Sequence, residues 1–137
     1  MGEADRRRHS RFHVDDAPAE LRRTDLVALW GLTGLGRVQG GVVNISEGGI
    51  RVSVPSALPT NRKVRCKVSS DRFRDPLDVV GQVLWCERDL MSENGYLVGI
   101  TFEGLEPRHQ RRIAAMREWF SSAEYQAQLA ARRRRLG

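Results

Sequence analysis

Between Lys63 and Val68 the chain alternates without a break: Val64, Cys66 and Val68 are apolar, and Lys63, Arg65 and Lys67 are cationic. Successive side chains of a strand point to opposite faces, so this segment predicts a strand with one face in a core and one in water. Such a strand needs neighbours, and the chain supplies them. Leu26–Trp30 is a β-capable run, Val38–Ile45 resumes the pattern, and Ile50–Val54 alternates before it meets Pro55. Tyr96, Val98, Ile100 and Phe102 line one face of a later strand, and the Asn-Gly pair of Ser92–Gly95 predicts a hairpin joining it to the strand that carries Trp85. Gly40-Gly41 predicts a bulge or sharp bend. Leu77–Trp85 is apolar on both faces, Leu77, Val79, Val83 and Trp85 on one and Val80 and Leu84 on the other, so it predicts a strand covered on both sides.

After Gly104 the period changes. Pro107 stands where a first helical turn tolerates it, and Ile113, Met116 and Phe120 recur at helical spacing, with Trp119 beside them. One amphipathic helix is predicted to about Ser121, with a second segment from Ala123 into the arginine tail. About six strands and a C-terminal helix make an all-β fold, an antiparallel barrel with a helical cap. The expected organisation is a mobile arm over residues 1–16, a barrel with its closing helix over 17–121, and a helical or disordered basic tail over 122–137. Trp30, Trp85 and Trp119 are read as core or barrel-to-helix packing. The Trp30–Gly36 stretch is longer and richer in glycine than a plain hairpin requires, and no physical reason for that is evident.

Charge is unevenly placed. The net charge is +6, yet Arg6, Arg7, Arg8, Arg11 and Arg132–Arg135 alone supply eight positive charges, so the middle of the chain is slightly negative. This distribution predicts an anionic partner met by chain ends rather than by a basic domain face. No apolar stretch approaches the roughly 18 residues of a membrane span, and no apolar segment follows the charged N-terminus, so a cytoplasmic location is expected. Cys66 and Cys86 permit a disulfide, but buried free thiols in a reducing compartment are preferred. His9, His13 and His109 form no metal-ligand spacing, and there is no nucleophile with an evident base. Neither a metal, a catalytic residue nor a cofactor is expected.

Two short motifs remain. Arg7-x-x-x-Arg11 lies within Asp5–Arg11, and Asn44-x-Ser46-x-x-Gly49 lies within Val43–Ile50. Together, in this order, they resemble the signature of the PilZ domain family, and the Val83–Trp85 strand, the Tyr96–Phe102 strand and the closing helix follow in the family's order. The resemblance covers residues 5 to about 120. It implies a six-stranded antiparallel PilZ-type β-barrel with a C-terminal α-helix, in a bacterial receptor for cyclic di-GMP rather than an enzyme. It further implies that Arg7 and Arg11 clamp the ligand from an arm, while Asn44, Ser46 and Gly49 hold a guanine from the barrel. Arg6, a non-apolar residue just before the motif, goes in related domains with two intercalated ligand molecules. Asn44 is often Asp in the family.

The residue types suit that ligand. Cyclic di-GMP carries two phosphodiester charges and two guanines, and an arginine can fork onto phosphate, pair with O6 and N7, or stack on a base. Four extended residues span at most about 14 Å, so Arg7 and Arg11 can embrace one dinucleotide. Asn44 and Ser46, two apart, can face the same side, and Gly48 and Gly49 permit a close backbone approach or a positive φ. On this reading the arm orders on the ligand and a protein partner reads the change, as in motility or biofilm control. Two alternatives stand beside it: a PilZ-like adaptor that binds a protein partner without ligand, and a nucleic-acid-binding barrel. The near-neutral middle disfavours the second.

Overall fold

A computed structural model describes residues 12–13, 17–23, 37–70, 73–91 and 95–136. Arg6, Arg7 and Arg11 with most of the expected arm, the Leu26–Trp30 run, the Trp30–Gly36 stretch and residues 92–94 of the expected hairpin turn lie outside these residues.

The strands are β1 (Phe12–His13), β2 (Pro18–Arg23), β3 (Arg37–Ile45), β4 (Gly49–Val54), β5 (Lys63–Ser70), β6 (Phe73–Arg88) and β7 (Tyr96–Glu103). All pairings are antiparallel. The neighbours run β2, β3, β4, β7, β6, β5, and β5 returns to β2, which closes a six-stranded barrel. Closure leaves no long edge unpaired. β1 adds a two-residue rung to β3, with Phe12 opposite Ile45 and His13 opposite Asn44.

The interior is built from the alternating residues. Val64, Cys66 and Val68 of β5 are buried while Lys63, Arg65 and Lys67 face water, and Val98, Ile100 and Phe102 of β7 are buried as their spacing predicts. One strand falls where no long apolar run marks it: β2 places Ala17, Ala19 and Leu21, at 2%, 0% and 1% exposure, inside the barrel. Two of its inward residues are alanines and Glu20, Arg22 and Arg23 share the segment, so it carries little hydrophobic signal. Pro18 is tolerated because it opens the strand.

Two irregularities differ from expectation. The bulge in β3 lies at Val43, between Val42 and Asn44, and not at Gly40-Gly41. A second shift falls in β6, where pairing passes from Val83 opposite Ile100 to Trp85 opposite Gly99 and leaves Leu84 without a partner. An extra residue reverses the in–out parity of everything after it. Val83 is therefore fully buried, whereas Trp85 lies half-buried on the outer face and Cys86 packs partly against the core. The outer side of β6 is not covered: Val80 and Leu84 are 37% and 63% exposed. Apolar residues on both faces of this strand thus came from one core face and one exposed face.

Two helices follow the barrel. α1 (Pro107–Phe120) starts with proline in its first turn, and the Glu106 N–H donates to His109 Nδ1 at 3.0 Å. It buries Ile113, Met116 and Phe120 beside β6 and β1. Ser122 then caps α2 (Ala123–Leu136), its Oγ accepting the Tyr125 N–H at 3.1 Å. Tyr125 stands edge-on to Phe120 with centroids 4.9 Å apart, and tilted against Trp119 at 5.9 Å. Among the described residues no helix is long and apolar enough to cross a membrane.

Both cysteines are free, Cys66 buried and Cys86 half-buried. Burial, with Asp78 nearby, pushes the Cys66 thiol up from an ordinary 9.0 to about 12. Above pH 9 the unfolded chain sheds this proton and the folded chain keeps it, so the group's contribution falls as pH rises through that window. Relative to Cys66→Val, the wild-type chain is expected to lose up to about 1.4 kcal/mol of stability per pH unit above pH ~9. Urea unfolding of both proteins at pH ~8 and ~10.5 measures the difference; equal slopes would show that the thiol titrates normally.

Candidate functional site

The end of β3 and the turn that follows it gather the barrel-borne motif. Asn44 is 6% exposed and Ser46 is 2% exposed, and they flank Ile45, which lies fully in the core. The Ser46 N–H donates to the Gly49 carbonyl at 2.9 Å, and the Gly48 N–H donates to Ser46 Oγ at 3.2 Å. The Phe102 N–H closes on the Gly48 carbonyl at 3.0 Å, so the turn is fixed to β7 as well as to its own strands. Gly49 is required by close approach: a Cβ there would run into the Ile100 carbonyl oxygen. Neither Gly48 nor Gly49 has a positive φ, so of the two uses expected for these glycines only close approach occurs, and it occurs against β7.

β1 reaches this same turn. Its two rungs set Phe12 against Ile45 and His13 against Asn44, and Phe12 is the residue after Arg11 in the chain. The structure therefore brings together Asn44, Ser46, Gly48 and Gly49 and anchors beside them the segment that follows the arginine motif. Arg6, Arg7 and Arg11 themselves lie outside the described residues.

The strand register adds two residues that periodicity concealed. Asn44 of β3 lies opposite Arg51 of β4, Arg51 opposite Gly99 of β7, and Gly99 opposite Trp85 of β6. These four positions form one row across the outer face. The missing side chain at Gly99 lets the Trp85 indole lie against the strand; a Cβ there would strike the ring. The Arg51 guanidinium carbon sits 5.2 Å from the Trp85 ring centroid, a cation–π contact. Its Nε is buried without a hydrogen-bond partner among the described residues, which is costly for a charged donor. Trp85 is thus a shelf residue and not core packing. Finding the pair from sequence would have required the β6 bulge, since counting by twos from Val83 sends Trp85 inward.

A third addition is Glu47, inside the motif. Its carboxylate accepts from Arg117 Nη2 of α1 at 2.8 Å, with both side chains about two-thirds buried. An isolated carboxylate in this turn would repel an anion; Arg117 neutralises it. The row Asn44–Arg51–Gly99–Trp85 and the Ser46 turn make a polar and cationic shelf with a half-buried aromatic ring. Clefts of about 350 and 300 Å³ lie elsewhere, along β5, β6 and α1 and over β2, β3 and β5. The described residues hold no cluster of ligands for a metal ion.

The fold has close counterparts among solved structures. The PilZ domain of YcgR from Escherichia coli, solved with c-di-GMP, superimposes with a TM-score of 0.67 at 15% identity, covering 92% of this chain and 97% of that one. MrkH of K. pneumonia, solved as a c-di-GMP complex, gives 0.60 at 18% identity, covering 93% of this chain and 55% of its own. The Bacillus subtilis inhibitor of motility MotI/DgrA gives 0.59 at 12% identity, with 78% and 47% covered. The chain thus spans about half the length of the last two. No curated protein sequence matches it. Residues 5–118 match the PilZ domain pattern, which takes in both motifs, the barrel and most of α1. PilZ domains are receptors and effectors rather than enzymes. A closed six-stranded barrel with this motif turn, together with a sequence match over most of its length, makes the chain a member of the PilZ domain family.

Proposed function

We propose that this chain is a receptor for cyclic di-GMP, bound on the shelf formed by Asn44, Ser46 and the Arg51–Trp85 pair and clamped by Arg7 and Arg11. The observation that carries the reading is the β1–β3 pairing. It fixes the residue after Arg11 directly opposite Ile45, between the two polar residues of the turn. From that point the two arginines need reach only a few residues' length to meet a ligand on the shelf. Each component of the ligand finds a matching group. A guanine presents its polar edge to Asn44 and Ser46, and a second flat surface is available at Trp85. The unpartnered Arg51 Nε gains an acceptor from a phosphate or a guanine oxygen. The structural neighbours solved with c-di-GMP support the same ligand class. The arginine at position 6 favours two intercalated molecules per site.

Binding then acts through two attachments that already converge on α1. The helix packs beside β1, which continues the arm, and its Arg117 holds Glu47 in the motif turn. Ordering the arm on the ligand bears on both, so the C-terminal helices form the element through which occupancy is relayed to a protein partner.

Titration calorimetry with cyclic di-GMP is expected to give micromolar or tighter binding with about two ligands per chain; absence of heat at tens of micromolar ligand overturns the reading. Arg7→Ala and Arg11→Ala should each weaken binding at least about tenfold, or about 1.4 kcal/mol.

The Glu47–Arg117 pair makes a separate prediction. Arg117→Gln leaves the Glu47 charge facing the dianionic ligand and is expected to lower affinity several-fold at low salt. Adding Glu47→Gln should restore most of the loss, and the deficit should shrink as salt screens it. Equal affinities for wild type and Arg117→Gln at low salt would show that the pair has no bearing on the site.

A further inference from the structure

Opposite the ligand shelf, the outer face of β3, β2, β5 and β6 carries a row of a different kind. Arg37 pairs with Arg22, Arg22 with Arg65, and Arg65 with Val80. Three guanidinium groups stand side by side across three strands, and an exposed valine continues the line. Like charges directly opposite one another are destabilising in a sheet, so this row costs stability. The neighbouring row tempers only its ends. Glu20 lies 3.7 Å from Arg37, and Asp78 takes a two-pronged contact from Arg65 at 2.7 and 3.2 Å, which also holds the Arg65 guanidinium charged to higher pH. Arg22, in the middle, has no carboxylate partner among the described residues. The groove over these strands, of about 300 Å³, is lined by Arg22, Arg37, Arg65 and Lys67 against only Glu20 and Asp78.

We propose that this arginine ladder is the docking surface for a protein partner, and that it takes an acidic helix laid across the strands. The spacing argues for a helix. Strand neighbours lie about 4.8 Å apart, so the line from Arg37 to Val80 runs about 14 Å. On one helix face, positions i, i+3, i+7 and i+10 repeat at about 5–6 Å and cover about 15 Å. Carboxylates at the first three meet Arg37, Arg22 and Arg65, and an apolar residue at the fourth meets Val80. A phosphate backbone would run its charge continuously past Glu20 and Asp78 at the edges of the groove, whereas carboxylates at discrete helix positions can fall on the arginine row alone. The barrel order places β2 and β5 across from β4 and β7, so the ladder and the shelf lie on different sides of the barrel. This surface supplies a partner site for the receptor proposed above and so rests on that reading, though it uses none of the shelf's residues.

The test uses the full chain and a fluorescent synthetic helical peptide with Glu at i, i+3 and i+7 and Leu at i+10. A scrambled peptide of the same composition and a single-stranded DNA oligonucleotide serve as controls. The patterned peptide should bind more tightly than either control. Arg22→Glu should weaken it at least about tenfold and Arg22→Gln less, with cyclic di-GMP titrations of both variants unchanged as evidence that the barrel is intact. Equal binding of patterned and scrambled peptides, no effect of either substitution, or tighter binding of the oligonucleotide through Arg22 overturns the proposal. If cyclic di-GMP binds the wild type and the peptide does not, the docking surface alone fails. If the peptide binds and cyclic di-GMP does not, the surface stands and the receptor reading falls.

Discussion

Two unpaired residues, Val43 in β3 and Leu84 in β6, determine what the outer face of this barrel can present. Strand side chains alternate strictly, so a single extra residue moves everything beyond it to the other face. At Val43 the shift leaves Val42 and Ile45 in the core and puts Asn44 between them on the outside, opposite Arg51. At Leu84 it keeps Val83 buried and turns Trp85 outward over Gly99. The consequences meet on one row, where Asn44, Arg51 and Trp85 lie side by side with room made by a glycine. A barrel without these bulges would bury the indole and break that row. The residues are spaced by hydrogen-bonding geometry, not by the flexibility of loops, which makes the shelf a fixed surface.

The same parity argument explains what could be read from the chain. β5 and β7 were legible because their alternation is uninterrupted, and α1 because Pro107 marks its start and Ile113, Met116 and Phe120 its buried side. Asn44, Ser46 and Gly49 were legible as a motif. β2 was obscured because Ala17 and Ala19 are small inward residues and Pro18, Glu20 and Arg22 accompany them. Trp85 was misjudged because a bulge leaves no local mark in an apolar run such as Val83-Leu-Trp85. Arg51 was invisible as a site residue: it alternates correctly in β4, and only the long-range pairing of β4 with β7, and of β7 with β6 beyond its bulge, brings it to Trp85.

Charge summed along the chain is silent on where it is placed. The middle of the chain sums to slightly negative, and the expectation drawn from the N-terminal arginines, an anionic partner met by a chain end, falls on residues outside the described ones. The sum does not say how charge is laid out on the barrel itself. Glu47 is taken up by Arg117, and Asp78 by Arg65, while Arg37, Arg22 and Arg65 come into register on one side. A net charge averages over directions, whereas a ligand or partner meets one face at a time. Neutral overall, the barrel still offers a cationic aromatic shelf on one side and a guanidinium ladder on the other.

Those two faces are not independent pieces of surface, because both are laid across the same two strands, β3 and β6. β3 contributes Asn44 at one end and Arg37 at the other, and β6 contributes Trp85 and Val80 on the two sides of its bulge. A closed barrel gives little freedom for either strand to slide, since each of its strands is paired on both sides around the ring. A signal passing from shelf to ladder by strand movement would have to break that ring. The elements outside the ring are different. β1 is held by two rungs, and α1 by one buried stripe, the Glu47–Arg117 pair and the contacts of Arg112 with Asp75 and Phe73 of β6, so they can shift while the barrel stays whole. The architecture therefore separates two tasks: the ring holds both rows at fixed spacing, and on the function proposed above the segments attached to it are the ones that respond to binding.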